Sequence, residues 1–241
     1  MTAVAGMTGT EARSFCARSM QIAGTEVVAD RSGALYVPAE HTLIVADLHL
    51  EKGSASARRG IMLPPYDSRE TLRRLAGVVA RYRPRCVVAL GDSLHDRSAE
   101  SRLGSVERAE VSDLQTGRDW LWITGNHDPV ISADLGGAVA ASLHLGAIIL
   151  RHEPTPGDAP GEIAGHLHPA ARVVLGGTGM RRPCFVGNGM RLVLPAFGTF
   201  TGGLNVLEQA FATLFVDHHF DVHVLGQNGV YPLARASLRT D

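Results

Sequence analysis

Five apolar runs in this chain each end directly in side chains that can hold a metal ion, and that recurrence limits the fold more than any other feature. Leu43-Ile44-Val45-Ala46 leads into Asp47-Leu48-His49, Val87-Val88-Ala89-Leu90-Gly91 into Asp92, and Leu121-Trp122-Ile123-Thr124-Gly125 into Asn126-His127-Asp128. Ala147-Ile148-Ile149-Leu150-Arg151 leads into His152, and Glu162-Ile163-Ala164-Gly165 into His166-Leu167-His168. Short apolar runs of this kind read as buried strands. Where strands are joined by helical crossovers, their carboxyl ends gather along one edge, and ligands bind at that edge. Side chains at i and i+2 of an extended strand point the same way. This predicts that Asp47 and His49 face one site together, and that His166 and His168 do the same. Gly91, Gly125 and Gly165 stand immediately before three of the clusters, where a missing Cβ permits close approach of backbone. A single Asp at a strand end is ordinarily a turn former, and a single His ordinarily a packing residue. Five agreeing strand ends are not explained that way. His41, His144, His218, His219 and His223 lack such a setting and are read as structural.

The elements around these ends follow from pattern. Thr25–Ala29 and Ala34–Val37 flank the turn Asp30-Arg31-Ser32-Gly33 and read as a hairpin. Asp67–Tyr82 reads as a helix capped by Asp67 or Ser68, with Leu72, Leu75, Val78 and Val79 as its buried stripe. Ser98–Gly117 is polar and reads as a helix with a loop, long enough for a β-α-β crossover. Beyond Leu150 short strands alternate with glycine and proline: Glu162–Ala164, Pro183–Val186 and Leu192–Leu194. Asn205–Leu214 reads as a helix, and Phe220–Leu225 with Val230–Leu233 as a hairpin through Asn228-Gly229. Strand-helix alternation followed by many strands predicts an α/β fold with a mixed sheet or two stacked sheets. Residues 1–20 lack any sustained period and are expected to be loosely ordered, leaving 21–241 as a single domain.

Composition narrows the class. Of 241 residues 45% are hydrophobic and 20% charged, enough for a sizeable core, and the formal net charge of −1 argues against bulk electrostatic binding of nucleic acid. No apolar run approaches the roughly 20 residues needed to span a bilayer, and the first residues lack a signal core, so the expectation is a cytoplasmic protein away from membranes. Cys16, Cys86 and Cys184 form no CxxC pair. Lys52 is the sole lysine and no glycine precedes it, which excludes a P-loop.

The pooled ligand atoms are carboxylate, imidazole and amide oxygen with no thiolate, a set that suits Mn²⁺, Fe or Zn²⁺ better than Ca²⁺. Seven such side chains exceed one tetrahedral site, whereas two adjacent ions sharing a carboxylate would use them all. Asp47-x-His49, Gly91-Asp92, Gly125-Asn126-His127-Asp128, His152 and Gly165-His166-x-His168 stand in an order that resembles the calcineurin-like metallophosphoesterase superfamily. Glu51-Lys52-Gly53, Arg58-Arg59-Gly60, Leu63-Pro64-Pro65-Tyr66-Asp67, Gly91-Asp92-Ser93-Leu94-His95-Asp96 and Leu194-Pro195-Ala196-Phe197-Gly198 look like its ligase-associated DNA damage response endonuclease (PdeM-like) group. The resemblance implies two stacked mixed β-sheets flanked by helices, a four-layer α/β/β/α fold. It implies two divalent ions, foremost Mn²⁺, with Fe, Zn²⁺ and Mg²⁺ as alternatives. Asp47, His49, Asp92 and His168 would hold one ion; Asp92 would bridge to a second, shared with Asn126, His152 and His166. His127 would face the leaving group and Asp128 would orient its ring. His95 stands where many members of the superfamily carry Asp or Asn, and Asp128 where many carry Glu.

For substrate, the resemblance implies phosphodiester bonds, with DNA as a partner and a place in DNA repair beside an ATP-dependent DNA ligase and a helicase. Arg58, Arg59 and His95 are the candidate substrate contacts, and Arg69, Arg73 and Arg74 extend the basic tract. Between Glu51 and Arg118 stand 13 basic and 9 acidic residues, against 10 and 15 in the rest. A small-molecule phosphoesterase acting on nucleotides or cyclic nucleotides would use the same site, with its selectivity in Glu51–Tyr66, Asp96–Gly117 and Pro195–Gly203. A non-catalytic scaffold of a ligase and helicase complex is the third reading, and the intact set of ligand residues argues against it.

Overall fold

The structure is a computed structural model that describes residues 17–64, 66–175, 177–215 and 219–241. The chain begins with β1 (Ala17–Ile22), β2 (Thr25–Asp30), β3 (Leu35–Val37) and β4 (Thr42–Val45). Helices α1 (Lys52–Arg58) and α2 (Asp67–Tyr82) then lead to β5 (Cys86–Leu90), and α3 (Ala99–Arg102) with α4 (Ser105–Gln115) to β6 (Asp119–Ile123) and β7 (Ala138–Ala140). These seven strands form one sheet in sequence order. Its first half is antiparallel, and β4 to β7 run parallel.

The second sheet takes the rest: β8 (Ser142–Leu145), β9 (Ile148–Arg151), β10 (Glu162–Ala164), β11 (Pro169–Leu175), β12 (Thr178–Gly187) and β13 (Leu192–Val193). It is completed by β14 (Leu204–Asn205), β15 (Asp221–Leu225), β16 (Val230–Leu233) and β17 (Leu238–Arg239), with the short helix α5 (Gln209–Ala212) after β14. The order β14-β11-β12-β13-β10-β9-β8 is mixed, since β10 runs parallel to both β9 and β13.

Side-chain alternation explains why β4 and β5, at the centre of the first sheet, are apolar almost throughout. Leu43 and Val45 of β4, with Val87 and Ala89 of β5, face the helices and pack with Leu72, Leu75 and Val78 of α2. Ile44, Val88 and Leu90 face the other way and meet Ile148, Leu150, Ile163 and Phe185 of the second sheet. A sheet covered on both faces has no solvent side and therefore no polar alternation. A third apolar layer, with Phe211, Leu214, Phe215 and Val222, closes the far face of the second sheet. The architecture is the α/β, two-sheet arrangement expected, with a thin outer layer on the second sheet.

The sequence reading differs at identifiable places. Asp67 is the first residue of α2 rather than its cap; Tyr66 caps it, while Asp67 accepts from the Gly53 N–H at 2.8 Å. The expected helix over Asn205–Leu214 is only the one turn of α5, because Leu204 and Asn205 pair beside β11. The hairpin β11–β12 has no counterpart in the sequence reading before Pro183; its outer part carries Arg172, Arg181 and Arg182 and lacks the apolar signal of a buried strand. Most of the segment 1–20 lies outside the described residues, as does His218, and Ala17–Met20 belong to β1.

One buried ion pair fixes the approach to β10. Glu162 and Arg191 have side chains only 3% exposed, and Arg191 Nη2 donates to Glu162 Oε1 at 2.5 Å. The same guanidinium donates to the carbonyls of Thr155, Gly157 and Leu214. Removing one partner of such a pair leaves an uncompensated buried charge, so Arg191→Ala is expected to destabilise the fold by about 3–5 kcal/mol. The midpoint of urea unfolding checks this. A double variant with Glu162→Leu should recover much of the loss, and an unshifted midpoint in the single variant would overturn the argument.

Candidate metal centre

All five strand ends meet at one edge of the two sheets. Asp47 and His49 follow β4, Asp92 follows β5, and Asn126 and His127 follow β6, while His152 follows β9 and His166 and His168 follow β10. Two clusters contain a carboxylate, their ligand atoms within 4.8 Å of one another, Asp47 with His49 and His168, and Asp92 with His152 and His166; a third group of the same size, His49 with His95 and His127, is imidazole alone. Asn126 Oδ1 is 3.0 Å from His152 Nε2 and joins the second. Asp92 Oδ2 stands between the clusters, 3.4 Å from His152 Nε2 and 3.9 Å from His49 Nε2.

The reading from strand spacing, that His166 and His168 share a site, is corrected: they divide between the clusters, as the resemblance implies. The reason is backbone geometry. Neither pair is extended, for Asp47, His49, Asp92, His166 and His168 all have φ between 44° and 69°. Non-glycine residues rarely adopt this left-handed region, and strain of this kind gathers at functional sites. The close approach expected at the glycines is present. A Cβ on Gly125 would lie 2.2 Å from Asp92 Oδ1, and one on Gly165 would lie 2.7 Å from Asp47 Oδ2.

The ring nitrogens are oriented as ligands. His168 Nδ1 faces the Gly202 carbonyl at 3.1 Å and His152 Nδ1 the Leu90 carbonyl at 3.1 Å. A proton on each Nδ1 leaves the Nε2 lone pair turned into its cluster. His49 Nε2 then lies 3.3 Å from His168 Nε2, and His166 Nδ1 3.2 Å from His152 Nε2. Ring nitrogens this close are satisfied by a proton shared between them or by a cation that takes its place. Burial, and then the neighbouring His168, hold His49 down at about 2, so its imidazole is neutral. Burial would raise Asp92, but its hydrogen bond with His152 and that residue's charge hold it down at about 2, ionised. Burial also opposes a charge on His152, yet Asp92 and Asp47 pull it up to about 9, which shows the sign of the field they impose. Neutral imidazoles, an amide oxygen and buried carboxylates are the ligand set of a divalent ion such as Mn²⁺, Fe²⁺ or Zn²⁺, and the residues fit two such ions.

His127 stands beside the clusters without joining either of these two groups. Its Nδ1 is 2.6 Å from the His95 carbonyl, so Nε2 faces Asp92 Oδ2 at 3.9 Å, and the side chain is 40% exposed. Asp128 does not orient that ring, contrary to the reading from resemblance. Its carboxylate accepts from the backbone N–H groups of Asp92, Leu94 and Gly125 at 2.9–3.0 Å. It is a clamp on the loop that carries Asp92, and burial raises its pKa to about 6 despite those donors. His95 Nδ1 lies 3.4 Å from His49 Nδ1. Burial first, and then the charges of Lys52, His127 and Arg59, push His95 down to about 4. Lys52, dismissed in the sequence for want of a P-loop, thus stands close enough to act on the site.

No protein-family profile matches the chain, and no curated protein matches it. Among solved structures, the nuclease MPE of Pseudomonas putida superposes with a TM-score of 0.68 at 28% identity, covering 90% of this chain and 100% of the nuclease. The chain is a metallophosphoesterase, similar to the calcineurin-like ones. The E. coli phosphoesterase YfcE aligns over 77% of this chain and 88% of its own, with 14% identity and a TM-score of 0.38.

The basic residues of this metallophosphoesterase separate by environment. Arg69 is paired with Glu107 at 2.6 Å and Arg73 with Glu70 at 2.8 Å. Arg74 donates to the Phe197 and Ser32 carbonyls and lies over the Phe197 ring, which makes it a brace for the fold. Arg58 and Arg59, by contrast, are exposed at the end of α1, with no carboxylate partner among the described residues. No described helix is long and apolar enough to cross a membrane.

Proposed function

We propose that this metallophosphoesterase is a DNA endonuclease that cleaves phosphodiester bonds with two Mn²⁺ ions. The observation that carries the reading is the position of Asp92 Oδ2 between two ligand clusters, with His127 Nε2 3.9 Å away and open to solvent. Asp47, His49, Asp92 and His168 would hold one ion, and Asp92, Asn126, His152 and His166 the other. Such a pair supplies Lewis acidity toward the phosphoryl oxygens and lowers the pKa of water at the site.

The chain's own groups complete the chemistry. The His95 carbonyl holds His127 Nδ1–H, which aims Nε2 across the cluster. Protonated, that nitrogen donates to the departing 3′ or 5′ oxygen, a contribution of about 10²–10⁴-fold. Asp128 keeps Asp92 and Gly125 in register through three backbone contacts. Lys52 and Arg59 add positive potential on the His95 side, and Arg58 and Arg59 meet the flanking phosphates.

DNA as substrate is supported by the likeness to a nuclease over its whole length and by the exposed arginines at the end of α1. A role in repair beside an ATP-dependent ligase and a helicase belongs to the same proposal, supported by the motif resemblance to the ligase-associated group. The test is incubation of end-labelled single- and double-stranded DNA with Mn²⁺-loaded protein. Internal cleavage that a chelator stops and added Mn²⁺ restores is expected. Protein with two bound ions that hydrolyses nucleotides or cyclic nucleotides while sparing DNA would replace this reading with a small-molecule one.

A further inference from the structure

Between the ligand segments of the two sheets runs a six-residue arch, Gly198-Thr199-Phe200-Thr201-Gly202-Gly203. Its start is pressed onto the first segment: Gly198 N–H donates to the Asp47 carbonyl at 3.0 Å, and a Cβ there would lie 2.2 Å from the Leu48 oxygen. Its end is pressed onto the other: His168 Nδ1 meets the Gly202 carbonyl, and a Cβ on Gly203 would lie 2.4 Å from the His168 oxygen. Thr199 N–H donates to Thr71 Oγ1 at 3.0 Å, Thr201 Oγ1 to the Gly198 carbonyl at 2.9 Å, and Arg181 to the Gly203 carbonyl. The arch is braced at nearly every residue.

Phe200 is the exception. Its φ is +60°, a strained conformation for a bulky residue, and it is 43% exposed. Of the exposed large apolar residues described, it is the one with positive φ. No aromatic ring or cation stacks on it among the described residues. The neighbouring Thr201 and Gly202 line a cavity of about 430 Å³ together with His168, Arg181 and Pro183, so open space adjoins both the arch and a metal ligand. Strain and an exposed ring both disfavour the folded chain alone, and they are carried by an arch whose two ends are tied to the Asp47 and His168 segments.

We propose that Phe200 is the stacking platform for the nucleobase beside the scissile phosphodiester, with the adjoining cavity receiving its sugar. The inference rests on the nuclease reading and adds a base-contacting residue to it. Base–aromatic stacking tolerates any sequence, because every base offers a π-face. It would therefore fix the register of the strand without selecting a base.

The experiment compares wild type, Phe200→Ala, Phe200→Leu and Phe200→Trp on a single-stranded oligonucleotide whose bases are free to stack. Alanine and leucine are each expected to raise KM about tenfold, on the scale of one lost stack, with little change in kcat. Tryptophan restores affinity. When Phe200→Trp is combined with His127→Ala, which slows cleavage, oligonucleotide should quench the fluorescence of the introduced indole, over the constant background of the buried Trp120 and Trp122. An oligomer abasic around the cleavage point should quench nothing and should be bound no better by wild type than by Phe200→Ala. Cleavage of DNA by wild type with equal KM in the alanine variant would overturn the role of Phe200 and leave the nuclease reading intact. Absence of any DNA binding or cleavage by wild type would remove both.

Discussion

Asp92→Asn is expected to lose bound metal and turnover together. The replacement is nearly isosteric, and its amide oxygen can still accept the His127 backbone N–H that Asp92 Oδ1 accepts at 2.9 Å. The fold should therefore survive. What disappears is the negative charge at Oδ2, the atom that lies between the His49 and His152 nitrogens. Loss of a group outside the ligand shell already weakens metal binding by about 10–100-fold. Asp92 serves both ions, so the loss should exceed that range. Elemental analysis and turnover measured on the same sample decide it. A variant that retains two ions and normal activity would displace Asp92 from the bridging position.

His127→Ala should behave in the opposite way, keeping its metals and losing about 10²–10⁴-fold in turnover. The ring lies outside both ligand clusters, and its removal leaves the Asp47 and Asp92 carboxylates and four histidines in place. The deficit should shrink for a phosphodiester with a strongly acidic leaving alcohol, which departs without a proton. An equal deficit on good and poor leaving groups would instead assign the ring to positioning the phosphate.

The contrast between these variants shows which parts of the site could be read from sequence. Each ligand stands within a few residues of an apolar run, and a strand ending in a ligand residue is a local pattern that needs no knowledge of the fold. The division of His166 from His168 came only from the motif resemblance, because extended backbone would turn both rings to one side. The backbone at both residues is left-handed rather than extended, and no side-chain pattern announces such values. By resemblance Asp128 had the role of orienting the His127 ring. Its partners are backbone amides beside residues 92 and 94, contacts made only when β5 and β6 lie side by side. The arginine-rich face of α2 looked like a nucleic-acid track, but two of its cations are spent on Glu70 and Glu107 and a third on carbonyls. Those acidic partners were visible in the sequence; their pairing was not. Phe200 carried no signal beyond being one phenylalanine among seven.

Each ligand cluster draws on both sheets, with Asp47 and His49 meeting His168, and Asp92 meeting His152 and His166. A bound cation is therefore a rivet through the seam between the two halves of the chain, added to apolar contacts and to the hydrogen bonds that residues 197–199 make across it. Ligands that bind only the native state stabilise it in proportion to the logarithm of their concentration. Heat resistance of this enzyme should accordingly track the free metal in its surroundings. A chain cut between Ala140 and Ser142 yields two pieces, neither of which owns a complete cluster, so chemistry can begin only after the halves have docked.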